Sequence, residues 1–314
     1  MMPEVNKQKI YGLVIIGAGP AGLSASIYAS RYKIDHLVIG KILGGIATEA
    51  YEIRNYPGKE NITGLELANK MIAHAKSSEV SFLEDEVSAI DREDGGIFII
   101  KTKKDNQILT RKIILAMGAS RAQLNVQGEK EFWGKGVTYC ATCDAPLYRD
   151  KVVVVVGGGD SAFSSAVLLA NYAQKIYLIY RRENFHAQKA WQNQVDGLSD
   201  KIIKILNNEV KEIKGDKVLR KVILKSPHQG NQELEIDGLF VEIGSLANSE
   251  LARSLGVEVD DKRQIKITNE GRTNIKDVYG AGDITNLTGL KQIVVAAAQG
   301  AIASHAVFED IANE

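Results

Sequence analysis

The chain has 314 residues, with 39 lysine plus arginine against 39 aspartate plus glutamate, so no net charge marks it for nucleic acid or an anionic membrane. Its length suffices for two domains and a large core, and no apolar run approaches the ~18 residues of a spanning helix. A polar start without an apolar signal region, and two cysteines in all, place the chain with soluble cytoplasmic proteins and not with secreted disulfide scaffolds.

Leu13 to Ile16 reads as a short apolar strand, followed by Gly17-Ala18-Gly19-Pro20-Ala21-Gly22, a helical run from Leu23 to about Arg31, and a second strand from His36 to Ile39. This is a βαβ unit with a dinucleotide fingerprint in its proper context. Gly17 permits the sharp turn, Gly19 lets the backbone approach a pyrophosphate, Gly22 lets helix and strand pack, and the helix start offers N–H groups to the phosphates. The acidic residue that commonly ends the second strand and holds a ribose is replaced by Gly40-Lys41.

Gly44-Gly45-Ile46-Ala47-Thr48 and Arg54-Asn55-Tyr56-Pro57-Gly58 are turn-rich, and by themselves read as loops. Gly64 to Lys76 has helical spacing, Val80 to Lys104 alternates as antiparallel β-structure does, and Lys112 to Ala116 is a strand ending in Met117-Gly118-Ala119.

Two cysteines then appear in Cys140-Ala141-Thr142-Cys143-Asp144. Thiols three residues apart can close a small disulfide ring and reopen it, storing two electrons. Structural zinc would need four ligands, and neither a second cysteine pair nor a suitable histidine spacing exists. Inert core thiols are the alternative, against which stands Asp144, a carboxylate placed to move the proton that thiol exchange requires.

Val152 to Val156, five valines, is the pattern of a strand buried on both faces. It feeds Gly157-Gly158-Gly159-Asp160-Ser161-Ala162, a helix from Phe163 to Tyr172, and a strand from Lys175 to Tyr180, which form a second βαβ nucleotide unit. Where an acidic residue would favour NAD stand Arg181 and Arg182, whose guanidiniums suit a 2′-phosphate and so point to NADP(H). Gly238 to Gly244 reads as a strand leaving this domain. Val278 to Asp283 is a strand ending in a carboxylate that either accepts a ribose or ribityl hydroxyl or serves as a turn residue, and an alanine-rich helix from Gln292 to Phe308 follows. The second nucleotide unit is therefore inserted in the first.

Together, GAGPAG, GG-x-A-T, N-Y-P-G, C-A-T-C-D, GGGDSA, RR and G-A-G-D-I with K-Q-I resemble the low-molecular-weight thioredoxin reductase family over essentially the whole chain. The resemblance implies an α/β fold of two Rossmann-like domains: an FAD-binding domain from residues 1–119 and 248–314, and an inserted NADP-binding domain, 120–247, carrying the dithiol. Electrons would run from NADPH through FAD and the Cys140–Cys143 disulfide to thioredoxin or a similar small dithiol protein, with Cys143 facing the flavin, Cys140 attacking the partner and Asp144 as acid/base. The smaller domain would turn so that nicotinamide and dithiol alternate at the flavin.

By motif position, FAD contacts would come from Gly17, Gly19, Pro20, Ala21 and Gly22, from Gly45, Ile46, Thr48 and Asn55, and from Val87, Gly118, Asp283, Gln292 and Ile293. NADP contacts would come from Gly157, Gly159, Asp160, Ser161 and Ala162, and from Arg181, Arg182 and His186. A homodimer is also implied. The chain departs from the family at Ile46, where glutamine is common, at Ala145, where glycine is usual, at Ser245-Leu246-Ala247, which lacks a proline, and at His186, where a third phosphate-binding arginine usually stands. That last change opens a second reading, with NADH or ferredoxin as donor or a glutaredoxin-like or peroxidase-linked acceptor. A non-catalytic redox sensor is a third, disfavoured because a sensor needs no second nucleotide site.

Overall fold

The computed structural model describes residues 9–50, 53, 55–78, 80–93 and 95–314. Two compact units result, Met1–Ser120 with Leu246–Glu314, and Arg121–Ser245. In the first, β1 (Ile10–Ile16) turns into α1 (Pro20–Arg31) and β2 (His36–Ile39) returns parallel to β1. The helix starts at the fingerprint's proline, which fits its first turn because the missing N–H would have no intrahelical partner there. A capping box opens α2 (Gly64–Lys76): Glu66 N–H donates to the Thr63 hydroxyl at 3.2 Å and Thr63 N–H to the Glu66 carboxylate at 3.1 Å.

After α2 comes β3 (Ser81–Leu83), which pairs with β2 in parallel. The expected run of antiparallel structure from Val80 thus begins as a parallel edge strand, because the helix before it makes the connection a crossover and not a hairpin. Antiparallel pairing starts with β4 (Val87–Arg92) and β5 (Phe98–Thr102). The long β6 (Gln107–Leu115) pairs antiparallel with β5 and parallel with β1, setting Leu13 opposite Lys112 and Ile16 opposite Leu115.

The chain leaves this unit through β7 (Ala119–Arg121). In the second unit, β8 (Val137–Thr138) leads to the short α3 (Ala141–Asp144); β9 (Val152–Val156), α4 (Asp160–Leu169) and β10 (Lys175–Tyr180) form the second βαβ unit. Then come α5 (Lys189–Asp196), β11 (Ile202–Leu206), the antiparallel β12 (Val210–Gly215), β13 (Leu219–His228) and β14 (Asn231–Glu235), and β15 (Gly238–Val241). The order β11-β10-β9-β15-β8 is parallel throughout. The valine run is explained by its two neighbours: Val153 and Val155 pack with Phe163 and Ala166 of α4, whereas Val154 and Val156 pack with Ile213, Val222 and Leu224 of the antiparallel sheet.

The chain comes back through β16 (Ser245–Ala247), which pairs with β7, and continues as α6 (Glu250–Ser254), β17 (Val278–Gly280) and α7 (Ile293–Ala312). β17 pairs with the end of β6, completing a seven-stranded sheet among the described residues. One face of it, with Leu13 and Ile15, carries α1 and α7; the other, with Val14 and Ile16, packs on Phe98 and Ile100. Among the described residues no helix is long and apolar enough to cross a membrane.

Backbone-close packing joins α7 to α1: a Cβ on Gly300 would lie 2.0 Å from the Ala21 carbonyl oxygen. Gly300→Ala is therefore expected to cost about 1–3 kcal/mol or more by overpacking. Gly289→Ala, whose Cβ would meet nothing within 4 Å, should leave stability unchanged. Chemical denaturation of the two variants checks this difference.

Candidate functional site

In the first unit the fingerprint turn is set by two close approaches. Gly17 has φ +112° and a Cβ there would lie 2.2 Å from the Ala116 carbonyl oxygen; a Cβ on Gly22 would lie 1.8 Å from the Gly17 carbonyl oxygen. Over Gly19 the surroundings are different, since a Cβ there would meet, among the described residues, only the Gly45 Cα at 3.9 Å. Gly19 is the N-cap of α1 and no side chain caps it, so the first-turn N–H groups of Ala21 and Gly22 are presented without a competing carboxylate or hydroxyl, Pro20 having none to give. This cradle fits the diphosphate of a dinucleotide.

Of the other expected residues, Gly45 meets this cradle through its Cα. Gly45 and Ile46 open a short 3₁₀ turn that Thr48 closes by donating its hydroxyl to the Gly45 carbonyl at 2.8 Å. Asn55 donates to the Gln292 side chain at 2.9 Å, joining two positions far apart in sequence, and Gln292 is the N-cap of α7, which starts at Ile293. Arg54 lies outside the described residues. Asp283 follows Gly282, where a Cβ would stand 2.9 Å from the Ala21 Cβ, so the backbone of this strand end lies beside the first turn of α1. Val87 is buried at the start of β4, next to Glu86, whose carboxylate pairs with Lys41 at 3.1 Å. Gly118, φ +65°, ends the strand-to-turn segment after β6. There Asn248, which sequence reasoning missed, donates its amide to the Met117 carbonyl at 2.9 Å and its backbone N–H to Gly118 at 3.1 Å.

The second fingerprint turns just as tightly, a Cβ on Gly157 lying 2.3 Å from the Glu242 carbonyl oxygen. Ala162 is fully buried behind it and Ser161 is exposed. Asp160, in the first turn of α4, accepts from the Gln188 backbone N–H at 2.7 Å and its side-chain amide at 2.9 Å. Arg181 and Arg182 are exposed at the end of β10. His186 lies over Gly159, with Nδ1 hydrogen-bonded to the Tyr180 hydroxyl at 2.9 Å.

Between β8 and β9 the cysteines are joined as a Cys140–Cys143 disulfide, Cα to Cα 5.3 Å. Cys140 is the N-cap of α3, and its carbonyl accepts from Cys143 N–H at 3.2 Å and Asp144 N–H at 3.1 Å. The buried Ala141 and Ala145 anchor this turn against Phe163 and Phe240 while both cysteines stay half-buried. Ala145, where the resembled family has glycine, adopts φ −49°, ψ −41°, ordinary right-handed helix that any L residue fills without strain. Asp144 accepts a short hydrogen bond from the Thr138 hydroxyl, whose oxygen also takes the Cys140 N–H at 3.3 Å. Thr138 thus ties the acid to the first cysteine.

Two further titratable groups surround the dithiol turn. Tyr148 is pushed up to about 12 by burial and by the charges of Asp144 and Asp237. Glu242 is pushed up to about 7 by burial, against the opposing pulls of the Ser165 hydroxyl, the Ala141 backbone N–H and the Arg121 charge; Ser165 donates to it at 2.9 Å. Neither residue carries a motif signal. Glu242 follows four apolar strand residues, and that hydrophobic run was the one legible clue to its burial.

The family described as pyridine nucleotide-disulphide oxidoreductase matches residues 11–300. Among curated relatives, a thioredoxin reductase of Listeria innocua is 36% identical over 95% of this chain and 93% of its own, and one of Mycolicibacterium smegmatis is 38% identical over 95% of each. Among solved structures, thioredoxin reductase from Streptococcus pyogenes superposes with a TM-score of 0.88 at 32% identity, covering 97% of this chain and 99% of that one.

The raised Glu242 carboxyl has a pH signature. Its folded-state value near 7 lies above its ordinary 4.5, so folding takes up a proton between the two. The stability this contributes is fully present below about pH 4.5 and lost as pH rises through about 7. Glu242→Gln is expected to flatten that part of the stability profile, as measured by denaturation at a series of pH values on variant and wild type.

Proposed function

We propose a donor, a resident cofactor and an acceptor for this chain, which belongs to the pyridine nucleotide-disulphide oxidoreductase family. It is a flavin-dependent disulfide reductase of the thioredoxin reductase type. We read the donor as NADPH, the cofactor as FAD and the acceptor as thioredoxin or a thioredoxin-like protein, in a cytoplasmic homodimer. The observation that carries the reading is the Cys140–Cys143 disulfide, set on a short turn in the same unit as the second fingerprint.

The first unit is the FAD-binding domain in this reading. Gly17, Gly19, Pro20, Ala21 and Gly22 would hold the diphosphate, Asp283 a ribityl or ribose hydroxyl, and Gly45, Ile46, Thr48, Asn55, Val87, Gly118, Gln292 and Ile293 the remainder. FAD supplies the coupling between a two-electron hydride donor and a disulfide. The second unit is the NADP-binding domain, with Gly157, Gly159, Asp160, Ser161 and Ala162 at the diphosphate, and Arg181 and Arg182 at the 2′-phosphate. His186 belongs to the same site.

Once reduced, the pair works by thiol exchange. The Cys140 thiolate attacks one sulfur of the partner's disulfide, and the other partner sulfur leaves and takes a proton. Cys143 gives up its proton to Asp144 and attacks Cys140, which reforms the ring and expels the second partner sulfur as a thiolate; Asp144 hands it the proton, and with the first sulfur protonated from solvent the partner leaves as a dithiol. The Thr138 hydroxyl holds Asp144 at the dithiol turn for that transfer. Donation from Thr138 stabilises the ionised carboxylate, which is the form able to receive the proton.

Cys140→Ser and Cys143→Ser are each expected to abolish reduction of thioredoxin while flavin bleaching by NADPH persists in anaerobic titration; full turnover by either variant would sink the exchange mechanism. Replacing Arg181 and Arg182 with alanine should raise KM for NADPH tenfold or more, in line with loss of about 1.5–3 kcal/mol of charge-assisted bonding. KM for NADH should barely change. Equal effects on the two nucleotides would remove both arginines from the phosphate site.

A further inference from the structure

The two fingerprints share a sequence pattern but not a surface. In a dinucleotide turn the second glycine is the one over which the diphosphate passes, because no side chain stands in the way. Over Gly19 that space is bounded, among the described residues, by the Gly45 Cα at 3.9 Å. Over Gly159 it is taken by the His186 imidazole: a Cβ built there would lie 2.7 Å from Nε2 and 3.4 Å from both neighbouring ring carbons. A phosphate oxygen and this ring cannot share the position.

The ring is held there on several sides. Its Nδ1 is hydrogen-bonded to the Tyr180 hydroxyl at 2.9 Å. Tyr180 itself lies against Gly158, where a Cβ would fall 2.3 Å from the tyrosine ring. Phe185 stacks on Tyr180 with ring centroids 5.4 Å apart and meets Phe163 of α4 edge-on at 4.7 Å. The backbone N–H groups of His186 and Ala187 both donate to the Gly158 carbonyl, at 3.0 and 3.1 Å. The segment is fastened to the glycine loop, so the imidazole can leave only by turning about its own side-chain bonds. It is solvent-exposed, and turning outward removes no residue from the core.

We propose that His186 is a gate on the second nucleotide site: its imidazole, latched by the Tyr180 hydroxyl, covers the diphosphate position over Gly159 and must swing aside before a pyridine dinucleotide can bind. The inference rests on the reading of the second fingerprint as the donor site and goes beyond it, since it makes His186 a brake on donor affinity and not a third phosphate ligand. A gate on the diphosphate acts alike on every ligand that carries one. It lowers apparent affinity by the fraction of molecules in which the ring is latched. Discrimination between NADPH and NADH is left to Arg181 and Arg182.

Calorimetric titration of the full-length protein, His186→Ala and Tyr180→Phe with NADP⁺, NAD⁺ and ADP-ribose tests this. Tyr180→Phe removes one hydrogen bond and keeps the ring, so it should fold as the wild type does. The gate requires tighter binding in both variants, by about fivefold or more for His186→Ala and by about two- to tenfold for Tyr180→Phe, the range one hydrogen bond supplies. The gain should be equal for all three ligands. Loss of fold integrity alone cannot produce such a gain. Unchanged or weaker binding in His186→Ala, with the wild type still binding, would overturn the gate and leave the donor site standing. A gain confined to NADP⁺ would overturn it too, by placing His186 at the 2′-phosphate. Binding by none of the three proteins would overturn both the gate and the donor-site reading.

Discussion

A strand-to-helix turn too tight for a side chain organises each unit. In the first, the Gly22 position faces the Gly17 carbonyl oxygen at 1.8 Å from an ideal Cβ; in the second, Gly157 faces the Glu242 carbonyl oxygen at 2.3 Å. With no Cβ in the way, the helix start is pulled against the end of the first strand, and its unpaired N–H groups point past the carboxyl edge of the sheet. The first unit applies the same economy of side chain a second time. Gly300 lets α7 touch the carbonyl of Ala21, and Gly282 brings the backbone of the β17 strand end against the same turn. Small residues at these contacts are what bring pieces of chain from both ends of the sequence to one place.

The dithiol turn solves a different problem, that of moving protons where electrons move. Opening a disulfide creates two sulfurs whose charge depends on nearby groups. Here the turn is flanked by Asp144, held by Thr138, by Glu242, pushed up to about 7 by burial, and by Tyr148, pushed up to about 12. These three do not serve alike. At neutral pH the tyrosine keeps its proton and Glu242 is poised between its two forms, while Asp144, hydrogen-bonded from Thr138, is the carboxylate to which the proposed exchange assigns the proton. The Ala141 N–H that steadies ionised Glu242 belongs to the residue after Cys140, so charge on this carboxyl is felt at the backbone of the dithiol turn.

Much of this was legible in the residues. Strand limits at His36–Ile39, Val152–Val156 and Lys175–Tyr180, and helix limits at Gly64–Lys76, agree with the patterns that suggested them, because buried parallel strands and capped amphipathic helices have strong local signatures. Apolar periodicity puts the helices after the fingerprints at Leu23 and Phe163, whereas they begin at Pro20 and Asp160, since that periodicity starts only after the glycine turn. The parallel pairing of β3 leaves no mark in the alternation from Val80 onward, because three residues carry no record of their direction. Thr138, Asn248 and Glu242 escaped notice for a shared reason: each acts through a partner distant in sequence or through burial, and none stands in a motif.

His186 shows where motif reading stops. G-x-G-x-x-A states that backbone can approach a diphosphate, and GAGPAG states the same with a terminal glycine; neither pattern says what lies above the middle glycine. That is decided more than twenty residues downstream of Gly159, by the segment Tyr180 to Ala187, which folds back so that Gly158 accepts two of its N–H groups. An arginine here would reach outward with a long, strongly hydrated head, whereas a histidine of shorter reach settles onto the glycine and finds the Tyr180 hydroxyl. The exchange of one side chain thus alters the site in two ways at once. In the proposed donor site it would withdraw a permanent positive charge from the 2′-phosphate end and set a ring over the diphosphate. Both changes would act on donor binding and leave the proposed exchange chemistry at Cys140 and Cys143 untouched, so in this reading donor affinity can drift without cost to the dithiol it serves.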